Sequence, residues 1–306
     1  MTDPPYPRVH VVINPASGKD EPILNTLNDV FREYDVAWDI SLTHKYGDAT
    51  NQARAAIASG VDLVVGYGGD GTQHEIANAC LRAAAETGRQ APMGILPGGT
   101  GNGFAREMGV PKTLREAAVL LCTSTKTRSI DVGRLVSVEQ PQAHDRYFIQ
   151  RLYVGIEPEE QTSRELKEKY GVFAYAINMA ERAGTKERHH YRAEVDGDPL
   201  EFDGSKIYVI NSGMMGTGLQ ITHTYAIDDG LLDCFVLDPQ NLDSIAAAAV
   251  RFLDVHTASA SRYYRQARSI TIAAEPDQPV WADGEHIGRT PVTVDVLPRA
   301  LTVVVA

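Results

Sequence analysis

The sequence predicts an α/β half followed by an antiparallel β-sandwich. Three observations carry this. Strands and amphipathic helices alternate from residue 9 to about 124, three strand-to-helix turns are built from glycine and other small residues, and short alternating runs take over from Ile130. With 306 residues the chain is long enough for two domains, expected at 1–129 and 130–306.

The first strand covers residues 9–13 and runs into Asn14-Pro15-Ala16-Ser17-Gly18-Lys19, after which Leu24, Leu27, Phe31 and Tyr34 mark one face of a helix. Small residues, a glycine and a lysine at the mouth of a helix suit a phosphate. The same dipeptides also form ordinary turns, and the P-loop pattern is absent. A second strand at 37–43 places Thr43 at its carboxyl end, the edge where ligands bind in open α/β sheets. Asp48 is the expected N-cap of the next helix, and Gly60 its stop.

Residues 63–78, LVVGYGGDGTQHEIAN, form the centre of the chain: an apolar strand, a glycine turn, and a helix with Ile76, Ala79, Cys80 and Ala83 on one face. Glycines let backbone N–H groups approach a phosphate, and the helix N-terminus adds partial positive charge. A lone carboxylate, Asp70, would repel phosphate and is therefore read as a partner of nucleotide-bound Mg²⁺. Gly66, Gly68 and Gly71 also fit a dinucleotide fingerprint, but that reading wants an acid after the next strand. The strand at 93–96 ends instead in Pro97-Gly98-Gly99, opening a third turn through Thr100, Asn102 and Arg106. Thr113 and Glu116 form a capping box for one more helix.

In the second half, strands are expected at 147–154, 191–195, 206–211, 231–237, 269–273, 292–297 and 301–305, with helices over 159–182 and 241–253. Asp228-Asp229-Gly230 and Asp283-Gly284-Glu285 serve equally as hairpin turns or as carboxylates that bind Mg²⁺ or take a proton from an alcohol.

A net charge of −11 opposes nonspecific nucleic-acid binding. No run reaches the length of a membrane span and the N-terminus lacks signal-peptide features, so a cytosolic protein is expected. Cys80, Cys122 and Cys234 lack metal-ligand spacing and read as small core residues, and the nine histidines form no zinc pattern.

NPASGK at 14–19, GGDGTQHE at 68–75, PGGTGNGFAR at 97–106, Ile130 to Gly133, DDGLLD at 228–233 and Asp283-Gly284-Glu285 occur in an order that resembles the diacylglycerol kinase catalytic family, specifically small soluble bacterial lipid kinases. The resemblance implies a Rossmann-like nucleotide domain, as in NAD kinases and phosphofructokinases, and a C-terminal antiparallel β-sandwich. It implies that Asn14, Pro15, Ala16, Ser17, Gly18, Thr43, Gly68, Gly69, Asp70, Gly71, Thr72, Glu75 and Thr100 surround ATP, with Asp70 on its Mg²⁺. Asp283 matches the general base; Asp229, the Leu231 carbonyl and Glu285 match ligands of a second, structural Mg²⁺. Lys19 and Asp131 match a charged pair across the domain junction, with Asn102 in support.

The implied partner is a lipid at a membrane surface, met by peripheral and transient docking, with a homodimer as a further expectation. Two positions depart from the family pattern. Asn102-Gly103 stands where bacterial diacylglycerol kinases usually carry Asn-Asp, which leaves a sphingoid-type or other lipid alcohol open as acceptor; His74-Glu75 stands where many relatives have Asn-Glu. The rival readings are an NAD kinase and a noncatalytic nucleotide- or lipid-binding regulator. Retention of Asp70, Asp229, Asp283 and Glu285 argues against the regulator.

Overall fold

The computed structural model describes residues 3–17, 21–140, 147–155, 188–212, 214–215, 219–220, 226–237 and 264–306. Its first half alternates as expected: β1 (Arg8–Ile13), α1 (Ile23–Glu33), β2 (Ala37–Leu42), α2 (Asp48–Ser59), β3 (Leu63–Gly68), α3 (Asp70–Thr87), β4 (Met93–Pro97), α4 (Gly103–Glu107) and α5 (Leu114–Thr123). The four strands lie parallel in the order β4-β3-β1-β2. Every residue of β3 and β4 is buried, which accounts for their unbroken apolar texture. At the edge, β2 is largely exposed.

Two helix starts differ in detail from the sequence reading. Leu27 and Phe31 are buried as expected and Val30 joins them, whereas Leu24 in the first turn of α1 is half exposed and Tyr34 lies just past its end. Asp48 is not the N-cap of α2. Gly47 holds that position in a left-handed conformation (φ 87°), and the Asp48 carboxylate turns back to accept from the backbone N–H groups of His44 and Lys45. The capping acceptor is Glu75 on α3, whose Oε2 accepts from Gly47 N at 2.8 Å and Ala49 N at 3.1 Å. By contrast, Thr113 caps α5 as the sequence indicates, accepting from Glu116 N.

The second half consists of β5 (Thr127–Glu139), β6 (Tyr147–Phe148), β7 (Arg151–Val154), β8 (His189–Val195), β9 (Asp198–Gly204), β10 (Lys206–Ile210), β11 (Met214–Met215), β12 (Leu219–Gln220), β13 (Leu232–Leu237), β14 (Tyr264–Ala267), β15 (Ser269–Glu275), β16 (Pro279–Ala282) and β17 (Glu285–Val304). The helices expected at 159–182 and 241–253 lie outside the described residues. Two antiparallel ribbons leave β17, one through β16-β7-β10-β13-β14 and one through β15-β8-β9. Leu152, Val209, Leu232 and Val280 from the first ribbon share a core with Tyr191, Ile270 and Ile272 from the second.

Where the sequence suggested two strands at 292–297 and 301–305, the structure has one. A register irregularity between Leu297 and Leu301, with Arg299 at φ 51°, breaks its alternation without ending it. Its last residues pair antiparallel with β5 and, at Val303, parallel with β4. The chain's final strand thus joins the two halves into one continuous sheet.

Candidate active site

Three turns come together at the carboxyl ends of β1, β3 and β4. Asn14 donates its backbone N–H to Tyr67 O and its side-chain amide to Thr72 Oγ1, while its Oδ1 accepts from Ala16 N at 3.0 Å. This ties the first turn to the second and folds Asn14 to Ser17 into a compact loop. Gly98 N donates to Gly68 O at 3.0 Å, tying the third turn to the second. The glycines here are needed for close approach. A Cβ at Gly68 would stand 2.2 Å from Thr72 Oγ1, and one at Gly99 would stand 2.5 Å from Gly69 Cα. Thr43 is buried beside them, its N–H on Ile13 O, and Thr100 is exposed.

Asp70 opens α3, and its carboxylate accepts from Gly103 N (3.1 Å) and Phe104 N (3.0 Å) at the start of α4. Each oxygen takes one of these bonds and keeps a second lone pair, so the donor set fits a divalent cation. Asn102, at φ 51°, closes the third turn by exchanging two hydrogen bonds with Gly99. Glu75, expected near ATP, directs its carboxylate to the N-terminus of α2 and so shapes the loop that follows Thr43.

From the sandwich comes Asp283. It sits with Gly284 in the β16–β17 hairpin, both in left-handed conformations (φ 48° and 97°). Asp-Gly is the residue pair this tight turn favours, as the hairpin reading of this dipeptide expects. The Asp283 side chain is 1% exposed. Its Oδ1 accepts from Gln150 N (3.0 Å) and Arg151 N (2.8 Å), and its Oδ2 from Ile149 N (2.8 Å) and the His74 ring Nδ1 (2.8 Å). Burial pushes its pKa up, but the His74 hydrogen bond and charge, with the backbone donors, outweigh burial and hold it below the usual carboxylate value.

Sequence reasoning missed the roles of His74 and Asn78. His74 is fully buried, and Asn78 Nδ2 lies 3.3 Å from its Nε2 while exchanging hydrogen bonds with the Tyr147 backbone (3.0 and 3.2 Å). The available signal was spacing: Asp70, His74 and Asn78 recur every four residues on one helix.

Asp131 is fully buried, with Oδ2 accepting from Gly230 N (2.6 Å) and Oδ1 from Arg299 N (2.7 Å). It therefore pins the acidic loop before β13 to the irregularity in β17. Its implied partner Lys19, like Gly18, lies outside the described residues. Asp228 pairs with Arg128, and Asp229 Oδ1 accepts from Leu231 N at 2.9 Å. Among the described residues no three His, Cys, Asp or Glu side chains form a group that could hold a metal.

The chain matches the diacylglycerol kinase catalytic domain over residues 8–135 and the YegS C-terminal NAD kinase beta sandwich-like domain over residues 152–305. A diacylglycerol kinase of Staphylococcus saprophyticus is 28% identical over 93% of this chain and 90% of its own length. One from Staphylococcus aureus is 26% identical over 97% and 91%. A crystal structure of a diacylglycerol kinase from Bacillus anthracis superposes with a TM-score of 0.77 at 25% identity, covering 98% of this chain and 97% of that one. An α/β half with clustered glycine turns, followed by a β-sandwich that brings an acid to them, is here the build of a lipid kinase. The chain belongs to the diacylglycerol kinase catalytic-domain family.

Proposed function

We propose that this lipid kinase moves the γ-phosphoryl group of ATP, with Mg²⁺, onto the hydroxyl of a membrane lipid, diacylglycerol or a related lipid alcohol. The observation that carries this reading is the meeting of two sets of groups on α3. Its N-terminus lies among the three turns, and its second turn holds Asp283. Backbone N–H groups at the turns would receive the phosphates of ATP, and Asp70 would hold the Mg²⁺, which supplies neutralisation of the phosphoryl oxygens when bound.

In the transfer the lipid oxygen forms a bond to the γ-phosphorus, the bond to the bridging oxygen breaks, and ADP leaves with that electron pair. The hydroxyl proton would pass to Asp283, a carboxylate ionised at neutral pH; its two oxygens already accept from three backbone N–H groups and His74, so one of these four hydrogen bonds must give way to the lipid hydroxyl. Asp229, the Leu231 carbonyl and Glu285 are the proposed ligands of a second Mg²⁺, and no step of the transfer is routed through it. Gly103 is buried with its N–H on Asp70, so no side chain at this position narrows the acceptor class. No helix among the described residues is long and apolar enough to cross a membrane, and the proposed encounter with the lipid is peripheral.

The test is ATP- and Mg²⁺-dependent phosphate transfer to micelle-presented diacylglycerol, a sphingoid base, ceramide and phosphatidylglycerol, with soluble NAD as the control acceptor. Transfer to one lipid that is lost in Asp283→Asn supports the reading and names the substrate. Transfer to NAD alone, or ATP binding with no acceptor phosphorylated, overturns it.

A further inference from the structure

Of the four donors to Asp283, three are backbone N–H groups of residues 149–151, from the same half of the chain as Asp283 itself. The fourth, His74, comes from α3, 209 residues away in sequence. Among the described residues it is the one side chain that donates to this carboxylate. Since His74 lies four residues after Asp70 on a continuous helix, the two sit about 6 Å apart along its axis. The phosphate end of the site and the acid from the sandwich are therefore referred to the same rigid element. Asn78, one turn further on, fastens that helix to the backbone of Tyr147 and faces the other nitrogen of the His74 ring.

We propose that His74 is a positioning residue, holding Asp283 in register with the phosphate-binding turn through a hydrogen bond from Nδ1. The inference rests on the lipid-kinase reading above. With a carboxylate as partner, Nδ1 carries the proton, and what the site requires of residue 74 is a donor two bonds beyond Cβ. Asparagine offers an amide N–H at that position. Leucine fills similar space and offers none.

The experiment measures kcat and both KM values for wild type, His74→Asn and His74→Leu with the lipid that wild type phosphorylates. In His74→Leu, kcat is expected to fall about 10- to 100-fold, the loss appropriate to a hydrogen bond to a charged group, with the KM for ATP within about twofold of wild type. In His74→Asn, which keeps the donor, kcat is expected to stay within about threefold. Should the leucine variant not fold, His74→Ala, which also offers no donor, takes its place with the same expected loss.

A donor-less variant that keeps full kcat overturns the proposal. So does an equal loss in His74→Asn and His74→Leu, which would make ring shape rather than the donor the requirement. Wild type that transfers phosphate to no lipid removes the kinase reading and this inference together, whereas an active wild type with an indifferent residue 74 removes this inference alone.

Discussion

The two ends of the site are built differently. Around Asp70 the structure uses backbone: glycines at 68, 69, 98 and 99 pack main chain against main chain, and Gly103 and Phe104 offer N–H groups. Around Asp283 a buried charge is held by donors from β7, the residues just before it, and α3. A backbone-built region writes itself into the sequence as glycine spacing, because no other residue permits the approach. A region assembled from distant side chains leaves only scattered polar residues. The comparison also separates two kinds of fragility: overpacking at the first end, loss of charge compensation at the second.

The largest expected effect is at the second end. In Asp283→Asn one oxygen becomes an amide donor facing N–H groups, so turnover should fall about 10²- to 10⁴-fold and stability by about 3–5 kcal/mol. Urea unfolding beside the transfer assay checks both. A stability loss below about 1 kcal/mol would show that the clamp around this carboxylate is not tight.

Next comes the backbone end. Gly99→Ala forces a methyl group into the Gly69 backbone and should destabilise by about 1–3 kcal/mol while weakening ATP binding, read by calorimetric titration. Normal ATP affinity in a folded Gly99→Ala protein would break the claim that the two turns must touch.

Smaller still, Glu75→Gln keeps the shape but lowers the charge that caps α2, and should cost about 1 kcal/mol in thermal unfolding with turnover largely intact. A loss of turnover exceeding tenfold would instead place Glu75 in the chemistry.

The least intrusive probe is pH. The native Asp283 carboxyl titrates below its ordinary value of 3.8, so between the two values the unfolded chain binds the extra proton. Its stabilisation is complete above the unfolded pKa and disappears as pH falls through the native one. Urea midpoints of wild type and Asp283→Asn should therefore converge on acidification below about pH 4. A constant gap would deny the depressed pKa.

Legibility in the sequence follows the same division. The alternation of β1 to α5, the three turns, the Thr113 cap and the Asp283-Gly284 hairpin were readable because each is local: apolar periodicity, glycine placement and short-range hydrogen bonds set them. The cap of α2 was misassigned to Asp48 because a side chain 28 residues beyond Gly47 supplies the acceptor. The long strand β17 was split in two because Pro298 and Arg299 interrupt its alternation, while pairing with β5 on either side carries the strand through.

By itself, then, the sequence determined the fold class, the three glycine-built turns and the family resemblance, since these rest on backbone freedom and periodicity that each short stretch carries within itself. Only the tertiary structure decided what surrounds Asp283, what Asp131 pins and why His74 matters. Burial, charge compensation and hydrogen-bond saturation depend on groups brought together across the whole length of the chain, and no local pattern encodes which of many polar residues will meet.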